Sequence, residues 1–268
     1  MWSVDLSNLN NTNLNNTRLD RLKNIRFTLI NTSHAGNIGA AARGMKVMGL
    51  TNLHLIGPTD YPSSEATARA SGADDVLFNA SVHDTLDQAI APCTVVFGTS
   101  ARNRGMDIPV VDLAEAVKIM VNAAKAQQVA LLFGKERYGM TNEEMQRCHY
   151  LVRFPANPEY SSLNLGAAVQ VAAYEIRKQC IENADEESIL SKNKASKFDE
   201  APFADAAKMQ SFYEHLFAVM HEVGFMQEQN VGSLTEKLRM MFNRLRIEKH
   251  EMDILRGFLS AVNKNLKK

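Results

Sequence analysis

Short apolar runs alternate along the first two thirds of the chain with stretches whose apolar residues recur at helical spacing. Ile25 to Ile30, Leu53 to Ile56, Thr94 to Gly98, Val129 to Phe133 and Tyr150 to Phe154 read as buried strands, with Val76 to Phe78 as a further brief one. Helical periodicity predicts helices over Ile38 to Met48, Ser63 to Ser71, Asp84 to Ile90 and Asp112 to about Lys125. Another helix is expected to begin near Ser161 or Ser162, because Leu163, Ala167, Val169, Val171, Ala172 and Tyr174 keep a broad apolar face after Pro158 has stopped the preceding strand. Strands alternating with helices in this way predict an α/β fold with a parallel sheet. In such sheets ligands bind beyond the carboxyl ends of the strands.

The pattern changes at both ends. Residues 1–22 carry Asn8, Asn10, Asn11, Asn13, Asn15 and Asn16 among scattered leucines, a composition too polar to fold alone, and they read as a mobile extension before an α/β domain over 23–180. Residues 181–205 hold seven acids against three lysines and read as a solvated acidic linker. From 206 to 268 the spacing predicts a small helical extension. Phe212, Leu216, Val219, Met220 and Val223 mark one helix. Ser233 with Glu236 forms a capping-box pair opening a second, which carries Leu234, Leu238, Met241 and Leu245 on one face. Ile254, Leu255, Phe258, Leu259 and Val262 mark a third.

Composition narrows the class. At 268 residues and 45% apolar content the chain can bury a core of its own. Thirty basic and thirty acidic residues cancel, which excludes a protein that is basic all over but leaves room for a local nucleic-acid surface. Residues 231–268 carry nine Lys or Arg against four acids, which reads either as a solvated bundle surface or as a contribution to RNA contact. Cys93, Cys148 and Cys180 are odd in number and far apart, so a reducing cytoplasm and no metal are expected. No apolar run is long enough to cross a bilayer and no basic-then-apolar leader opens the chain, so a soluble, cytoplasmic protein is expected.

Three loops that follow predicted strands concentrate glycine, amides and hydroxyls: Asn31 to Arg43, Leu132 to Gly139 and Asn157 to Gly166. They do not fit the common nucleotide motifs. Gly36, Gly39 and Gly44 have the wrong spacing for a dinucleotide turn, and Gly134-Lys135 lacks the partners of a P-loop. Without HExxH, EF-hand or GxSxG patterns, metallohydrolase and serine-hydrolase readings lose their support, and Ser162 is not read as a nucleophile.

The strings Asn37-x-Gly39-x-x-x-Arg43, Leu132-Phe-Gly-x-Glu136-x-x-Gly139 and Asn157-Pro158-x-x-Ser161-Ser162-Leu163-Asn164-Leu165 resemble the three motifs of the SPOUT 2′-O-ribose methyltransferases. In their fuller form they look like its TrmJ-type branch, which modifies nucleotide thirty-two of the tRNA anticodon loop. The resemblance runs in order over residues 24 to about 180, with a helical extension after it. It implies a carboxyl-terminal trefoil knot and a homodimer whose active sites are shared between protomers. It also implies S-adenosylmethionine held by Thr99, Ser100, Ala101, Gly134, Glu136, Gly139, Phe154, Ser161, Ser162 and Leu163.

On the same resemblance Arg43, Asn37 and Asn164 are the catalytic candidates, and tRNA is the partner. A guanidinium stays protonated above pH 12 and makes a poor base, so Arg43 is read as a clamp on the phosphate beside the target ribose. Asn37 and Asn164 either fix the loop and ribose or are ordinary loop caps, and Glu136 is expected to tie loops together by accepting backbone N–H groups. His34 reads as a satisfied loop histidine. Arg102 and Arg104 are expected to contact phosphate. A related enzyme acting on another tRNA position or on ribosomal RNA, or a non-catalytic RNA-binding relative, are the competing readings.

Overall fold

The computed structural model describes residues 18–101, 106–190, 203–226 and 231–266. Seven parallel strands, β1 (Ile25–Ile30), β2 (Leu53–Ile56), β3 (Ser81–His83), β4 (Cys93–Thr99), β5 (Val110–Asp112), β6 (Gln128–Phe133) and β7 (Tyr150–Arg153), form one sheet in the order β3-β2-β1-β6-β4-β7-β5. Helices α1 (Ala35–Val47), α2 (Ser64–Ala70), α3 (Asp74–Phe78), α4 (Leu86–Ile90), α5 (Leu113–Ala123), α6 (Asn142–Met145) and α7 (Leu165–Leu190) connect the strands or follow them. Side chains of successive strand residues point to opposite faces. On β6, Val129, Leu131 and Phe133 enter one core with α1, α2, α5 and α7, whereas Ala130 and Leu132 enter the other with α4 and α6. A sheet covered on both faces is why these strands are apolar almost without interruption.

Most strands and helices fall where the sequence pattern predicts them. The exceptions have physical causes. Val76 to Phe78 is not a strand but the end of α3, whose first turn holds Asp74 and Asp75 at the positive end of the helix dipole. The strand that pairs with the outer edge of β2 comes after it, at Ser81–His83, and the short edge strand β5 was also not expected. Leu22 is 2% exposed beneath a 3₁₀ turn over Asp20–Asn24, so the end of the expected mobile extension is anchored, while residues 1–17 lie outside the described part. Helix α7 begins at Leu165 rather than at the serines and runs to Leu190, into the stretch expected to be a solvated linker.

The carboxyl-terminal helices α8 (Ala206–Glu222), α9 (Val231–Leu245) and α10 (Lys249–Leu266) enclose a separate core of Met209, Phe212, Tyr213, Val219, Ile247, Met252 and Leu259. Ser233 lies inside α9, which already includes Val231, instead of capping it. On α10 the inward stripe is Met252 and Leu259, buried, with Leu255 and Val262 half-buried beside them. Ile254 and Phe258, expected on that stripe, are 69% and 67% exposed. Among the described residues no helix is long and apolar enough to cross a membrane, and all three cysteines are buried and free.

Two histidines are held neutral inside the α/β domain. His54 Nε2 pairs with Asn52 Oδ1 and its Nδ1 with His83 Nε2, both at 2.8 Å, and burial, then Arg26 and His83, lower its pKa from 6.5 to about 4. His149 Nδ1 accepts the N–H of Val96 at 3.1 Å, and burial, then the charge of Arg246, lower it likewise to about 4. Both native values lie below the unfolded one, so between about 4 and 6.5 the unfolded chain binds more protons. Stability is therefore expected to be full above pH 6.5 and to fall toward pH 4, by up to ~1.4 kcal/mol per pH unit for each group. Urea midpoints across that range check this, and His54→Gln should flatten the slope.

Candidate functional site

Strands β1, β6, β4 and β7 are consecutive in the sheet, and being parallel they open their carboxyl ends side by side. The three glycine- and hydroxyl-rich sequences and the Thr99 loop therefore meet along one edge. A cavity of about 260 Å³ lies there. Thr99, Ser100, Ala101, Gly134, Glu136, Gly139, Phe154, Ser161, Ser162 and Leu163 all line it. Lys135, Arg137 and Tyr138, inside the Leu132 to Gly139 loop already singled out, line it as well, and Phe133, Met140, Leu165 and Ala168, not named individually from the sequence, complete the lining.

Each loop is fixed by local chemistry. After β6 the chain turns back on itself: Gly139 N–H donates to the Lys135 carbonyl at 2.7 Å, and Gly139 has φ +69°, a conformation glycine adopts without penalty. The turn is so tight that a Cβ on Gly134 would lie 2.3 Å from Gly139 C and Met140 N. Beside it, the Thr99 hydroxyl donates to the Leu132 carbonyl at 3.0 Å and Ser100 N–H to Val152 at 3.0 Å, joining the ends of three strands. In the third loop Asn157 Oδ1 accepts Glu159 N–H at 3.0 Å, an Asx turn. Asn164, not a serine, caps α7, its Oδ1 accepting Gly166 N–H at 2.9 Å. Relieved of capping, Ser161 and Ser162 are left to face the cavity.

A chain of side-chain bonds ties the loops together. Glu136 accepts Ser33 N–H at 3.0 and 3.2 Å, His34 N–H at 3.3 Å and Asn37 Nδ2–H at 3.0 Å. Asn37 Oδ1 then accepts Asn164 Nδ2–H at 3.0 Å. Partial burial pushes the Glu136 carboxyl up, but the bonds from Asn37, Ser33, its own backbone and His34 outweigh this and hold it below the ordinary carboxylate value. Glu136, Asn37 and Asn164 thus connect all three motif strings, and Glu136 gathers backbone N–H groups as expected.

Other candidates lie elsewhere. Arg43 is exposed on α1, about 9 Å further along the helix axis than Asn37, and is not part of the cavity lining. Arg102 and Arg104 lie outside the described residues. Exposed cations at the cavity are instead Lys135 and Arg137, the latter with its guanidinium 5.7 Å from the Tyr138 ring centre. Among the described residues no group of three or more His, Cys, Asp or Glu side chains could hold a metal ion. With Glu136 committed to four hydrogen-bond contacts, the cavity is suited to grasping a ligand through main-chain groups and small hydroxyls.

Residues 24–174 match the SpoU rRNA methylase family, and residues 207–268 match the carboxyl-terminal domain of the tRNA methyltransferase TrmJ. The tRNA (cytidine/uridine-2′-O-)-methyltransferase TrmJ of Photorhabdus laumondii is 45% identical over 247 residues, covering 92% of this chain and 100% of its own. The Salmonella typhimurium protein of the same name is 46% identical over 249 residues, covering 92% of this chain and 99% of its own. The crystal structure of TrmJ from Z. mobilis superposes with a TM-score of 0.77 at 30% identity, covering 89% of this chain and 98% of that one.

Replacing Glu136 with Gln substitutes a donor for one acceptor oxygen facing N–H groups. We expect a loss of about 1–3 kcal/mol, read as a lower denaturant midpoint at neutral pH. Because the native carboxyl titrates below its ordinary 4.5, wild type should retain this contribution above that pH and lose it on further acidification. The Gln variant should lack that acid limb.

Proposed function

The chain belongs to the SpoU rRNA methylase family and within it to the TrmJ branch, and on that footing we propose that it methylates the ribose 2′-hydroxyl of nucleotide thirty-two, cytidine or uridine, in the tRNA anticodon loop. The observation that carries this reading is the shared cavity at the ends of β4, β6 and β7, locked by the Glu136, Asn37 and Asn164 chain. S-adenosylmethionine, bound there, supplies an activated methyl group on a sulfonium. The lining fits it: Phe133, Phe154, Leu163 and Leu165 offer apolar contact for an adenine, and Gly134 lets main chain approach closely.

Arg43 clamps the phosphate next to the target ribose and turns the 2′-hydroxyl toward the methyl group, so orientation supplies most of the rate. Because Arg43 stands outside the cavity lining of its own chain, it serves the site of a second protomer in a homodimer. An apolar stripe on α7, with Val171, Tyr174 and Ile181 39%, 51% and 47% exposed, supports pairing through that helix. The strand order, with β7 between β4 and β5, supports a knot in which the chain after β7 passes the segment joining those two strands. Arg102 and Arg104 assist at the phosphates, and the compartment is the cytoplasm, where tRNA is found.

Methyl transfer to tRNA transcripts tests the substrate, with 2′-deoxy substitution at nucleotide thirty-two expected to abolish it. Transfer to ribosomal RNA instead, or no binding of S-adenosylmethionine by calorimetry, would establish one of the competing readings. Arg43→Lys is expected to lower kcat about 100-fold with donor affinity unchanged, since an ammonium cannot make the planar two-point contact. A fully active lysine enzyme would remove the clamp. Gly134→Ala forces the loop off Gly139 and Met140 and should abolish donor binding while the circular dichroism spectrum stays that of wild type.

A further inference from the structure

The helical domain grips the α/β domain just after α6, within the segment that runs from cavity-lining Met140 to cavity-lining Phe154. The carbonyl of Gln146 accepts Asn243 Nδ2–H from α9 at 3.0 Å, and Asn243 Oδ1 accepts the Tyr213 hydroxyl from α8 at 2.8 Å. Asn243 is 9% exposed and Gln146 7%. Further along, Tyr150 hydrogen-bonds the Arg246 side chain and stacks on Phe97 at 5.2 Å between ring centres. Met240 packs against the cluster that holds Met140, Met145 and Cys148.

Apolar packing such as that of Met240 would keep the two domains together yet tolerate sliding. A buried amide does not, because an unpaired polar group in that setting costs too much, so Asn243 admits one registration of Gln146. Resting on the donor site proposed above, we infer that Asn243, with Tyr213 behind it, is a positioning residue through which the helical domain sets the Met140 to Phe154 wall of that site.

The test uses the full chain and compares wild type with Asn243→Ala, Asn243→Asp, which keeps the acceptor for Tyr213 but cannot donate to Gln146, and Tyr213→Phe. Kd for S-adenosylmethionine is measured by calorimetry, and KM for donor and for tRNA by methyl transfer. Both Asn243 variants lose the bond to Gln146, about 1 kcal/mol from the positioned state, and Asn243→Ala loses the Tyr213 bond as well, so donor Kd and KM should rise at least about fivefold in both. Tyr213→Phe should raise them about two- to threefold, and is decisive if the Asn243 variants fail to fold. In all of them kcat at saturating donor and KM for tRNA should stay near wild type. A merely structural contact would instead reduce the competent fraction, lowering kcat at an unchanged donor KM, and that result overturns the inference. Wild-type protein that binds no S-adenosylmethionine would defeat the proposed function itself, whereas wild-type binding matched by every folded variant would defeat only the positioning role.

Discussion

The site depends on one carboxylate being ionised and surrounded by donors. A parallel sheet brings loops to a common edge but does nothing to hold them there, and loop backbone left without partners would favour open, solvated conformations. Glu136 gathers the N–H groups of Ser33 and His34 and the amide of Asn37 at a single point, and Asn37 passes the linkage to Asn164. Asn164 is also the cap of α7, so the start of that helix and the closure of the site are fixed by the same side chain. Anything that orders one of these loops orders the others with it.

How much of this was legible in the sequence follows from how local each feature is. The motif loops could be read because glycine, amide and hydroxyl residues lie close together in the chain, and their strands are short apolar runs. The start of α7 could not, since Ser161, Ser162 and Asn164 are all competent caps and the choice falls to Asn164 through a partner more than a hundred positions away. Val76 to Phe78 has strand-like composition, yet Asp74 and Asp75 open a helix turn there and β3 forms beyond it. On α10, Leu255 and Leu259 share the sequence with Ile254 and Phe258, and only packing against α8 decides which pair turns inward. The strand order, with β7 inserted between β4 and β5, is a global property that strand and helix alternation does not encode.

The charge balance acquires a meaning once the two domains are seen apart. Zero net charge over the chain combines an acidic stretch at 181–205 with a basic helical extension at 231–268. Some of those cations serve structure: Arg239 lies 4.6 Å from the Tyr213 ring centre and Arg246 4.2 Å from that of Phe203, both partly buried. Burial lowers the pKa of each, yet from a starting point so high that both remain charged at neutral pH. Lys237, Arg244, Lys249, Arg256 and Lys264 are the remaining Lys and Arg among the described residues of that extension. A basic stretch therefore overstates the charge available to a nucleic acid by the number of its cations that sit on aromatic rings.

The same accounting bears on the chemistry. A side chain that accepts several hydrogen bonds in its ionised form is stabilised in that form and is a weakened base, so Glu136 is poorly placed to take a proton from a hydroxyl. An arginine is worse, because its conjugate base is scarcely accessible in water. Methyl transfer from a sulfonium makes little demand on either. A sulfonium donor, when bound, would supply a methyl group whose leaving group is a neutral thioether, and the proton of the attacking hydroxyl would pass to solvent water. What the reaction would require is alignment of oxygen, carbon and sulfur, and a cavity whose loops are fixed by the Glu136, Asn37 and Asn164 hydrogen bonds is suited to supply it.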